Sequence, residues 1–440
     1  MKSLYPMQQV VADAFIDCLF RRQNTLDSSH TGCGKTIVAC YIAMVMKYPV
    51  AVICPKAVIT SWKRELAEFG IEPVFVLNYE KIRTGNTKFM SRKGKKIFKW
   101  HLPKDTIIFM DEIHKAKGPF TLNAQLLISL VLQKFRVHGM SATASESPVE
   151  MRALGFCLGL HSLNKDVYPL KNWFRWMTKN GCRKDQWNNW KLMNRSCLKA
   201  LRAEMYGVSH PWCRTGYYAH KLTVKDFPDS FRDNMIFVEP IDFKDSKKIM
   251  DAYEELGITP EIICDYIENG TVSDSEHLIV NLGRARQLAE SFKVAEMVEI
   301  ANDLIHEGKS VVLFVNYKAT VEALCGLLKA GRIEGGQSEE ERQKVIDDFQ
   351  ADKTHCVVAN IAAGGTGISL HDTHGNRPRV SLISPTFDAK SYMQTLGRIH
   401  RNGAKSDSIQ KILVAAGTVE ESVMASVQRK AKNIQELHGE

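Results

Sequence analysis

Short apolar runs alternate with helical patterns in the first third of the chain. The runs predict four buried strands, at Val50–Cys54, Pro73–Leu77, Thr106–Met110 and Phe135–Met140. Between them, apolar residues recur at helical spacing and predict helices at Ile37–Lys47, Val58–Phe69 and Leu122–Leu132. Strands that alternate with helices are typical of a parallel sheet covered by helices on both faces.

The same alternation returns in the last third of the chain. It predicts strands at Ser310–Val315, His355–Ala359, Arg379–Ser384 and Ile409–Val414. It predicts helices at Val294–His306, Tyr317–Leu328, Glu339–Gln350, Lys390–Leu396 and Val419–Leu437. Between the two blocks the pattern is mostly helical. We therefore predict an α/β protein with a first lobe at residues 1–150, a largely helical, basic inter-lobe region at 151–285 and a second lobe at 286–440.

The composition fits folded lobes of this size and carries no signal for a membrane or secreted protein. Hydrophobic residues make up 44% of the 440 residues, but no apolar run reaches the length of about 18 residues that a membrane span requires. The first residues lack the apolar stretch of a secretion signal. The eleven cysteines form neither a CxxC pair nor a Cys/His cluster with zinc spacing. We therefore expect a cytoplasmic protein with reduced cysteines.

The positive charge of the chain is concentrated in the inter-lobe region. The formal net charge is +10, and residues 171–225 alone hold 12 Lys/Arg against two acidic residues. Five of the seven tryptophans lie in the same stretch, at Trp173, Trp176, Trp187, Trp190 and Trp212. A basic surface of this kind favours a polyanion partner such as a nucleic acid.

A phosphate-binding loop is predicted where the chain reads Ser-His-Thr-Gly-Cys-Gly-Lys-Thr, from Ser29 to Thr36, ahead of a helical pattern. Glycines let backbone N–H groups surround the phosphates of a nucleotide. Lys35 would reach the β- and γ-phosphates, and the Thr36 hydroxyl would bind Mg²⁺. The residues expected to contact ATP in this loop are Thr31, Gly32, Cys33, Gly34, Lys35 and Thr36. The expected cofactors are ATP and Mg²⁺.

A pair of carboxylates, Asp111 and Glu112, follows the predicted strand Thr106–Met110. Parallel sheets bind ligands at the carboxyl ends of their strands. We expect Asp111 to hold Mg²⁺ and Glu112 to orient or deprotonate the water that attacks the γ-phosphate. A strand-end Asp-Glu pair alone often only caps the next helix. Here it follows the phosphate-binding loop by about 75 residues, which favours the catalytic interpretation.

Two arginines near the end of the chain, Arg398 and Arg401, are three residues apart and lie on one face of a predicted helix. An arginine that reaches the γ-phosphate neutralises charge in the transition state. We expect both side chains to point across a cleft toward ATP. The alternative is a basic surface helix.

These segments, in this order, resemble the motifs of helicase superfamily 2 and, within it, of the Swi/Snf-type translocases. The segments that carry the resemblance are Leu4–Gln8, Pro55–Ala57, Ser61–Glu65, Asn78–Glu80, Asp111–His114, Ser141–Thr143, Val312–Phe314, Gly336–Ser338, Gly364–Ile368, Gln394–Arg401 and Thr418–Glu421. The resemblance implies two RecA-like lobes that hydrolyse ATP, with Gln8, Gly367 and Gln394 in the nucleotide site. It also implies DNA contacts from Lys56, Trp62, Ser141, Thr143, Asn316 and Thr366.

Two features depart from the usual Swi/Snf pattern. Ser141-Ala142-Thr143 stands where Gly-Thr-Pro is usual, and Gly397 precedes the first arginine of the last motif. Both features are more similar to strand-separating helicases. The chain is also almost all motor, which resembles phage-encoded branch-migration helicases of the T5 type. The expected location of such a protein is the host cytoplasm.

Two basic segments are further candidates for DNA contact. Lys171, Arg175 and Lys179 recur at i+4 spacing beside Trp173 and Trp176. Cations with exposed aromatic rings can hold a DNA backbone and stack on an unpaired base, so we predict DNA contacts at Lys171, Arg175 and Trp176. The alternative is that the tryptophans form a small core with lysines on its surface. Residues 81–104 hold nine Lys/Arg and no acidic residue, and Arg92–Lys96 within this run predict a hairpin or loop. The run either contacts duplex DNA or is merely solvated.

The predicted function is an ATP-dependent DNA helicase or translocase that acts on forked or branched DNA as a monomer. We expect mostly sequence-independent contacts to DNA phosphates and no membrane partner. The nearest alternative is a Swi/Snf-type translocase that remodels protein–DNA complexes on duplex DNA without strand separation. Two others are an RNA helicase and a non-catalytic, ATP-gated binding module.

Overall fold

The computed structural model describes residues 3–94, 97–163, 172–186, 188–194, 196–206, 217–227, 230–269, 276–364 and 368–438. The chain forms two compact units. Unit 1 is Met1–Asp226 with Asn433–Glu440, and unit 2 is Phe227–Lys432. The change from one unit to the other therefore falls inside the predicted inter-lobe region.

Unit 1 is built on a parallel sheet of six strands in the order β10-β1-β7-β6-β2-β3. Its strands are β1 (Asn24–Asp27), β2 (Val50–Cys54), β3 (Phe75–Asn78), β4 (Met90–Lys93), β5 (Ile97–Trp100), β6 (Ile107–Asp111), β7 (Arg136–Met140), β8 (Cys182–Lys184), β9 (Trp190–Leu192) and β10 (Tyr217–His220). Its helices are α1 (Pro6–Phe20), α2 (Lys35–Met46), α3 (Ile59–Glu68), α4 (Tyr79–Ile82), α5 (Leu122–Leu132), α6 (Arg152–Cys157), α7 (Trp173–Lys179) and α8 (Cys197–Tyr206). The pairs β4–β5 and β8–β9 are separate antiparallel hairpins.

Unit 2 contains a second parallel sheet of six strands, in the order β11-β16-β15-β12-β14-β13. These are β11 (Asn234–Ile241), β12 (Ser310–Val315), β13 (Gly331–Ile333), β14 (Cys356–Asn360), β15 (Arg379–Ile383) and β16 (Ser408–Ala415). The helices are α9 (Ser246–Glu254), α10 (Pro260–Asn269), α11 (Glu276–Ser291), α12 (Val294–His306), α13 (Lys318–Leu328), α14 (Glu339–Gln350), α15 (Ile361–Gly364), α16 (Ala389–Leu396) and α17 (Val419–His438), whose last residues belong to unit 1.

The local chemistry of the sequence explains where these elements lie. Every residue of β2 and of β12 is buried, as expected for the continuous apolar strands of a parallel sheet. Capping side chains mark helix starts: Thr121 accepts a hydrogen bond from the backbone of α5, and Ser338 forms a capping box with Glu341 on α14. The predicted α/β architecture with two parallel sheets is confirmed.

Four strands arise from the segment that was predicted to be largely helical: the hairpin β8–β9, and β10 and β11, which join the two main sheets. β10 pairs with β1 in unit 1, and β11 pairs with β16 in unit 2. Each is the outermost strand of its sheet, so only one of its edges is hydrogen-bonded within the sheet. Hydrophobic patterning alone identifies such edge strands poorly, because their side chains are partly exposed. In β11, for example, Met235, Ile236 and Phe237 are exposed.

The described part of the tryptophan-rich segment packs onto the core of unit 1. Trp173 and Trp176 of α7 and Leu201 of α8 belong to the same apolar core as β2 and β6. Trp176 is only 2% exposed, which contradicts its predicted contact with DNA and supports the alternative in which the tryptophans form a core. The predicted hairpin in the second basic run is confirmed as β4–β5. Within the described residues, the structure contains no helix with the length and apolar character of a membrane span.

Candidate nucleotide site

The predicted catalytic segments of unit 1 meet at the carboxyl ends of three neighbouring strands. β7 lies between β1 and β6, and Met140 at its end is in register with both Asp27 and Asp111. The phosphate-binding loop follows β1, Ser141 follows β7, and Asp111 ends β6. The backbone N–H of Ser141 donates to the carbonyl of Asp27 over 3.1 Å, which ties the first two segments together. Strand order therefore gathers residues that are far apart in the sequence.

The phosphate-binding loop has a backbone that requires glycine. Gly32 and Gly34 have φ angles of 90° and 85°, in the left-handed region that favours glycine. Gly34 directly precedes α2, so the N-terminus of this helix opens onto the loop, which is a favourable position for phosphate. A Cβ atom at Gly34 would collide with the side-chain amide of Gln8, whose Nε2 donates to the carbonyl of Cys33 over 2.8 Å. The structure thus brings Gln8 against the loop.

The Lys35 side chain folds back into the loop. Its Nζ donates to the carbonyls of Ser29 and His30 over 2.7 and 3.1 Å. Thr36 is half-buried in the first turn of α2. Cys33 is fully buried, and burial raises the pKa of its thiol to about 12. A neutral, buried thiol leaves the backbone of Cys33 as the part that can contact a nucleotide.

Asp111 is held by three groups of its own unit. The indole Nε1 of Trp62 donates to Asp111 Oδ2 over 2.9 Å, the Glu112 N–H donates to Oδ1 over 3.0 Å, and the Tyr79 hydroxyl donates to the Asp111 carbonyl over 2.8 Å. Burial, and then the neighbouring Glu112 carboxylate, raise the pKa of Asp111 to about 6. A cation at this position would favour the ionised form, so the carboxylate fits a magnesium ligand.

Trp62 was predicted to contact DNA, and the structure corrects this. The side chain is 1% exposed and stacks on Phe109 of β6, with ring centroids 6.1 Å apart. It therefore orients Asp111 from inside unit 1.

Glu112 joins the end of β6 to the segment after β7. It has a φ angle of 53°, unusual for a residue with a side chain. Its Oε2 lies 3.1 Å from His114 Nδ1 and accepts a hydrogen bond from Ser141 Oγ over 3.3 Å. The Ser141 hydroxyl also accepts from the Thr143 N–H over 3.2 Å. Ser141 and Thr143 are 0% and 1% exposed, so they support Glu112 and His114 from within, and their predicted DNA contacts are not compatible with this burial.

A strap from the predicted inter-lobe region holds the phosphate-binding loop, a feature that the sequence did not reveal. The hydroxyl of Tyr206, the last residue of α8, lies 2.7 Å from Ser28 Oγ. The Ser28 N–H donates to the His220 carbonyl over 2.9 Å. Leu222 accepts from His30 N–H and donates to Ser29 Oγ, over 2.9 and 2.8 Å. The loop is thus fixed from outside the predicted first lobe.

In unit 2, the two predicted arginines converge on one backbone carbonyl. Arg398 Nη1 and Arg401 Nη2 donate to the carbonyl of Ile368 over 3.3 and 2.8 Å. Arg398 is 2% exposed, whereas Arg401 is half-buried. Gln394, on α16 just before them, is 8% exposed. The two arginines therefore lie together beside Ile368, the last residue of the predicted motif Gly364–Ile368.

Asn316, a predicted DNA contact at the end of β12, is engaged inside unit 2. Its Nδ2 donates to Glu290 Oε2 over 2.7 Å and to the Pro385 carbonyl over 3.0 Å. Glu290 also accepts from the backbone N–H groups of Asn316 and Tyr317. Both donors of the Asn316 amide are thus used, and its side chain stabilises the loop instead of being available to a nucleic acid.

The remaining predicted contacts divide into exposed residues and residues outside the described part. Lys56, directly after β2, and Arg175 on α7 are exposed. Gly367, Thr366 and Lys171 lie outside the described residues.

The residues of unit 1 fit ATP with Mg²⁺. The glycine cradle at the N-terminus of α2 suits phosphate, and the Lys35 ammonium can exchange its two loop carbonyls for phosphate oxygens. The Thr36 hydroxyl and the Asp111 carboxylate are oxygen ligands of the kind that Mg²⁺ prefers.

Replacing Asp111 by asparagine is expected to stabilise the nucleotide-free protein at neutral pH. The pKa of Asp111 is raised from 3.8 to about 6 in the folded protein. Below pH 3.8 the carboxyl is protonated in both states and does not affect the free energy of unfolding. Between pH 3.8 and 6 its ionisation destabilises the fold progressively, and above pH 6 the destabilisation is complete. The gain is expected to be on the order of 2 kcal/mol at pH 7.5 and smaller at pH 5. Urea unfolding at both pH values measures it.

The matched control is Asp13→Asn, because Asp13 is an exposed carboxylate of the same unit. It is expected to show no such pH-dependent gain. An equal effect of Asp111→Asn at pH 5 and pH 7.5 would contradict the burial argument.

Replacing Tyr206 by phenylalanine is expected to raise the KM for ATP several-fold. The change removes the hydroxyl that lies 2.7 Å from Ser28 Oγ and leaves the ring in place, at a cost of about 1 kcal/mol. Steady-state ATPase assays measure the KM. Ser28→Ala is expected to have a similar effect, and the two changes together should be less than additive because they remove the same contact. Full additivity would rule out this contact as the cause.

Comparison with known proteins finds relatives among helicases. Residues 293–403 match the family "Helicase conserved C-terminal domain". A protein of Acanthamoeba polyphaga mimivirus named "Putative ATP-dependent RNA helicase L364" is 30% identical over 465 aligned positions, which cover 99% of this chain and 83% of that protein. A "DNA repair and recombination protein RAD54-like" of Drosophila persimilis is 28% identical over 179 positions. That match covers 38% of this chain and only 22% of the Drosophila protein.

A solved structure shows the same fold. S. cerevisiae Dbp5 bound to RNA and ADP BeF3 is 13% identical, with a TM-score of 0.50, over 98% of this chain and 92% of Dbp5. Units 1 and 2 are thus the two RecA-like lobes of a helicase core. Since the mimivirus relative is 30% identical over almost the whole chain and most of its own length, this chain belongs to helicase superfamily 2.

Proposed function

We propose that the chain is an ATP-driven motor that moves along DNA. The observation that carries the proposal is the strand order of unit 1: the loop that holds Lys35 follows β1, the pair Asp111 and Glu112 lies at the end of β6, and only β7 separates these two strands. A loop that fits phosphate, a carboxylate that fits Mg²⁺ and a second, supported carboxylate are the groups that ATP hydrolysis needs. A non-catalytic ATP-gated module would not require the second carboxylate.

In this mechanism each group has one task. The loop N–H groups and Lys35 bind the phosphates, and Thr36 and Asp111 would hold Mg²⁺, which would supply positive charge to the phosphates. Glu112, fixed by His114 and Ser141, orients the attacking water and accepts its proton. Arg398 and Arg401 neutralise charge that develops on the γ-phosphate. Gln8, Gly367 and Gln394 complete the nucleotide contacts.

DNA is favoured over RNA as the track. The Swi/Snf-type segments of the sequence support this, as does the partial match to a RAD54-like protein named for DNA repair and recombination. RNA is the second candidate, because the mimivirus relative is named as an RNA helicase. The motif Ser141-Ala142-Thr143 and Gly397 support strand separation on forked or branched DNA, whereas the Swi/Snf-type tail supports translocation on duplex DNA.

Exposed cations provide surfaces for the DNA backbone. Lys56 is exposed at the end of β2. On α7, β8 and α8 the side chains of Arg175, Lys179, Lys184 and Lys199 are also exposed. Of the two acidic residues in 171–225, Asp185 is already paired with Lys191, at 3.2 Å. We include Lys171 and Thr366 in the same phosphate-binding role. Binding of this kind is sequence-independent and weakens as salt rises.

The test is the ATPase rate of the full chain alone and with single-stranded DNA, duplex DNA, a fork, a four-way junction or RNA. Strong stimulation by forks and junctions would support a branch-processing motor. Equal stimulation by plain duplex would favour a remodelling translocase. Two further assays separate these activities: strand displacement measures unwinding, and triplex displacement measures translocation on duplex DNA. Stimulation by RNA alone, or by no nucleic acid, would overturn the proposal. Sedimentation with and without DNA tests the monomeric state.

A further inference from the structure

A basic hairpin is rigidly mounted on unit 1. We define it as β4 and β5 with Lys88 and Phe89 before them. Met90, Phe98 and Trp100 are at most 6% exposed and form its inner face. Trp100 Nε1 donates to Ser129 Oγ over 2.9 Å, and Gln133 accepts from Trp100 N–H and donates to the Phe98 carbonyl, over 3.0 and 2.9 Å. Since an isolated hairpin is barely stable in water, this anchoring on α5 makes it a fixed element.

The hairpin is docked against the turn that follows α4. The φ angle of Gly85 is 79°, and a Cβ atom there would collide with Arg92 of β4. Arg92 Nη1 reaches toward the Arg83 carbonyl, at 3.5 Å. The hairpin is thus held on two sides, by the turn after α4 and by the C-terminal end of α5.

Exposed lysines of this surface have no carboxylate partner in the part of the chain that the structure describes. Residues 81–104 contain nine Lys/Arg and no acidic residue. Lys81, Lys88 and Lys99 are exposed, and in the described part of the chain no carboxylate forms an ion pair with them. Lys99 stands opposite Ser91 on the outer face, away from the buried aromatic side chains. By contrast, two other cations of unit 1, Arg22 and Arg136, both form ion pairs with the carboxylate of Asp105.

We propose that the basic hairpin is a second binding surface for the phosphates of duplex DNA, outside the helicase motifs. This inference rests on the proposed function, because it assumes that DNA is the track. A rigid element with several unneutralised cations releases counterions when it contacts a phosphate backbone, and no base recognition is required. Lys56 and Lys81, which follow β2 and β3 in the chain, are further exposed cations of unit 1. The hairpin therefore adds contacts to duplex DNA beyond those made by the helicase motifs of unit 1.

The test is the salt dependence of duplex binding by the full chain. Lys88→Ala combined with Lys99→Ala is compared with Lys247→Ala combined with Lys344→Ala, which removes the same charge from exposed positions of unit 2. Fluorescence anisotropy with a duplex at several salt concentrations gives the slope of log K against log salt. The slope is expected to become shallower by roughly two in the hairpin variant, at about 0.9 per lost phosphate contact. The control variant is expected to keep the wild-type slope.

The outcomes separate this inference from the proposed function. If duplex DNA stimulates the wild-type ATPase but the hairpin variant keeps the slope of the control, the hairpin inference is wrong and the motor proposal stands. If DNA neither binds nor stimulates the wild type, the proposed function itself fails. A slope change seen only with RNA would overturn the assignment to DNA. Thermal unfolding of both variants, and a Lys88→Glu/Lys99→Glu variant with a larger expected slope change, exclude misfolding as the cause.

Discussion

Replacing Glu112 by glutamine is expected to lower the ATP turnover rate by about three orders of magnitude while ATP still binds. Glutamine keeps the size of the side chain and its ability to accept a hydrogen bond, so the contacts to His114 Nδ1 at 3.1 Å and Ser141 Oγ at 3.3 Å lose little geometry. What it loses is the negative charge that accepts the proton of the attacking water.

The local backbone supports this role for Glu112. Its φ angle of 53° belongs to a conformation that costs on the order of 1–3 kcal/mol for a residue with a side chain. Such a cost persists where the surrounding structure requires it. Here the turn after β6 aims the carboxylate at Ser141, on the neighbouring strand end. Glutamine adopts the same backbone with the same cost, so the variant isolates the charge.

The measurement is single-turnover ATP hydrolysis beside equilibrium binding of a fluorescent ATP analogue. The matched control is Glu150→Gln, which neutralises a half-buried carboxylate of the same unit that pairs with Lys117 and is expected to keep near-normal turnover. Turnover within a few-fold of the wild type in Glu112→Gln would refute the catalytic assignment. Loss of nucleotide binding in that variant would instead show a role in holding the nucleotide.

Replacing Arg401 by alanine is expected to lower turnover by about a thousandfold or more, again with ATP binding retained. The half-buried Arg401 guanidinium donates to the Ile368 carbonyl over 2.8 Å and, through Nε, to the Gly397 carbonyl over 3.1 Å. These backbone contacts keep the charge in one place. Loss of the Arg401 guanidinium removes stabilisation of the transition state, in which charge accumulates on the γ-phosphate, and leaves the binding of ATP itself little changed.

Arg377→Ala is the matched control for Arg401→Ala. Arg377 also belongs to unit 2 and also donates to two backbone carbonyls, those of Ile305 and Lys309. It is expected to cost some stability and little turnover. Normal turnover in Arg401→Ala would refute the assignment of an arginine finger. Because Arg398 is 2% exposed, Arg398→Ala is expected to lower the unfolding temperature as well, so it is the less informative variant.

Much of the fold could be predicted from local pattern. The predicted strand Val50–Cys54 and the predicted helices Leu122–Leu132 and Val294–His306 have the observed bounds. Apolar periodicity and capping side chains act over a few residues, so the sequence displays them directly. β1 was not predicted, because Asn-Thr-Leu-Asp has little apolar character and its strand conformation depends on β7 and β10 beside it.

The sequence identified the nucleotide-binding residues of the candidate site but misassigned several residues that support them. Motif spacing identified the phosphate-binding loop and the Asp111–Glu112 pair, and strand order then placed Ser141 between them. Spacing could not distinguish residues that face a ligand from residues that support the site from behind. Trp62, Ser141, Thr143 and Asn316 were predicted to contact DNA, but each is turned inward or fully engaged within its own unit. The Tyr206 strap gave no signal, because it joins positions 178 residues apart.

The sequence by itself determined the two α/β blocks, the chemistry of the loop from Ser29 to Thr36 and the identity of the strand-end carboxylates. These depend on residue type, short-range spacing and chain order. Only the tertiary structure decided which side chains are exposed, that Trp173 and Trp176 belong to the core of unit 1, and that Tyr206 and Leu222 hold the phosphate-binding loop. Burial and long-range hydrogen bonds arise when distant segments pack together, and a linear pattern records the residues that take part in them but not their partners.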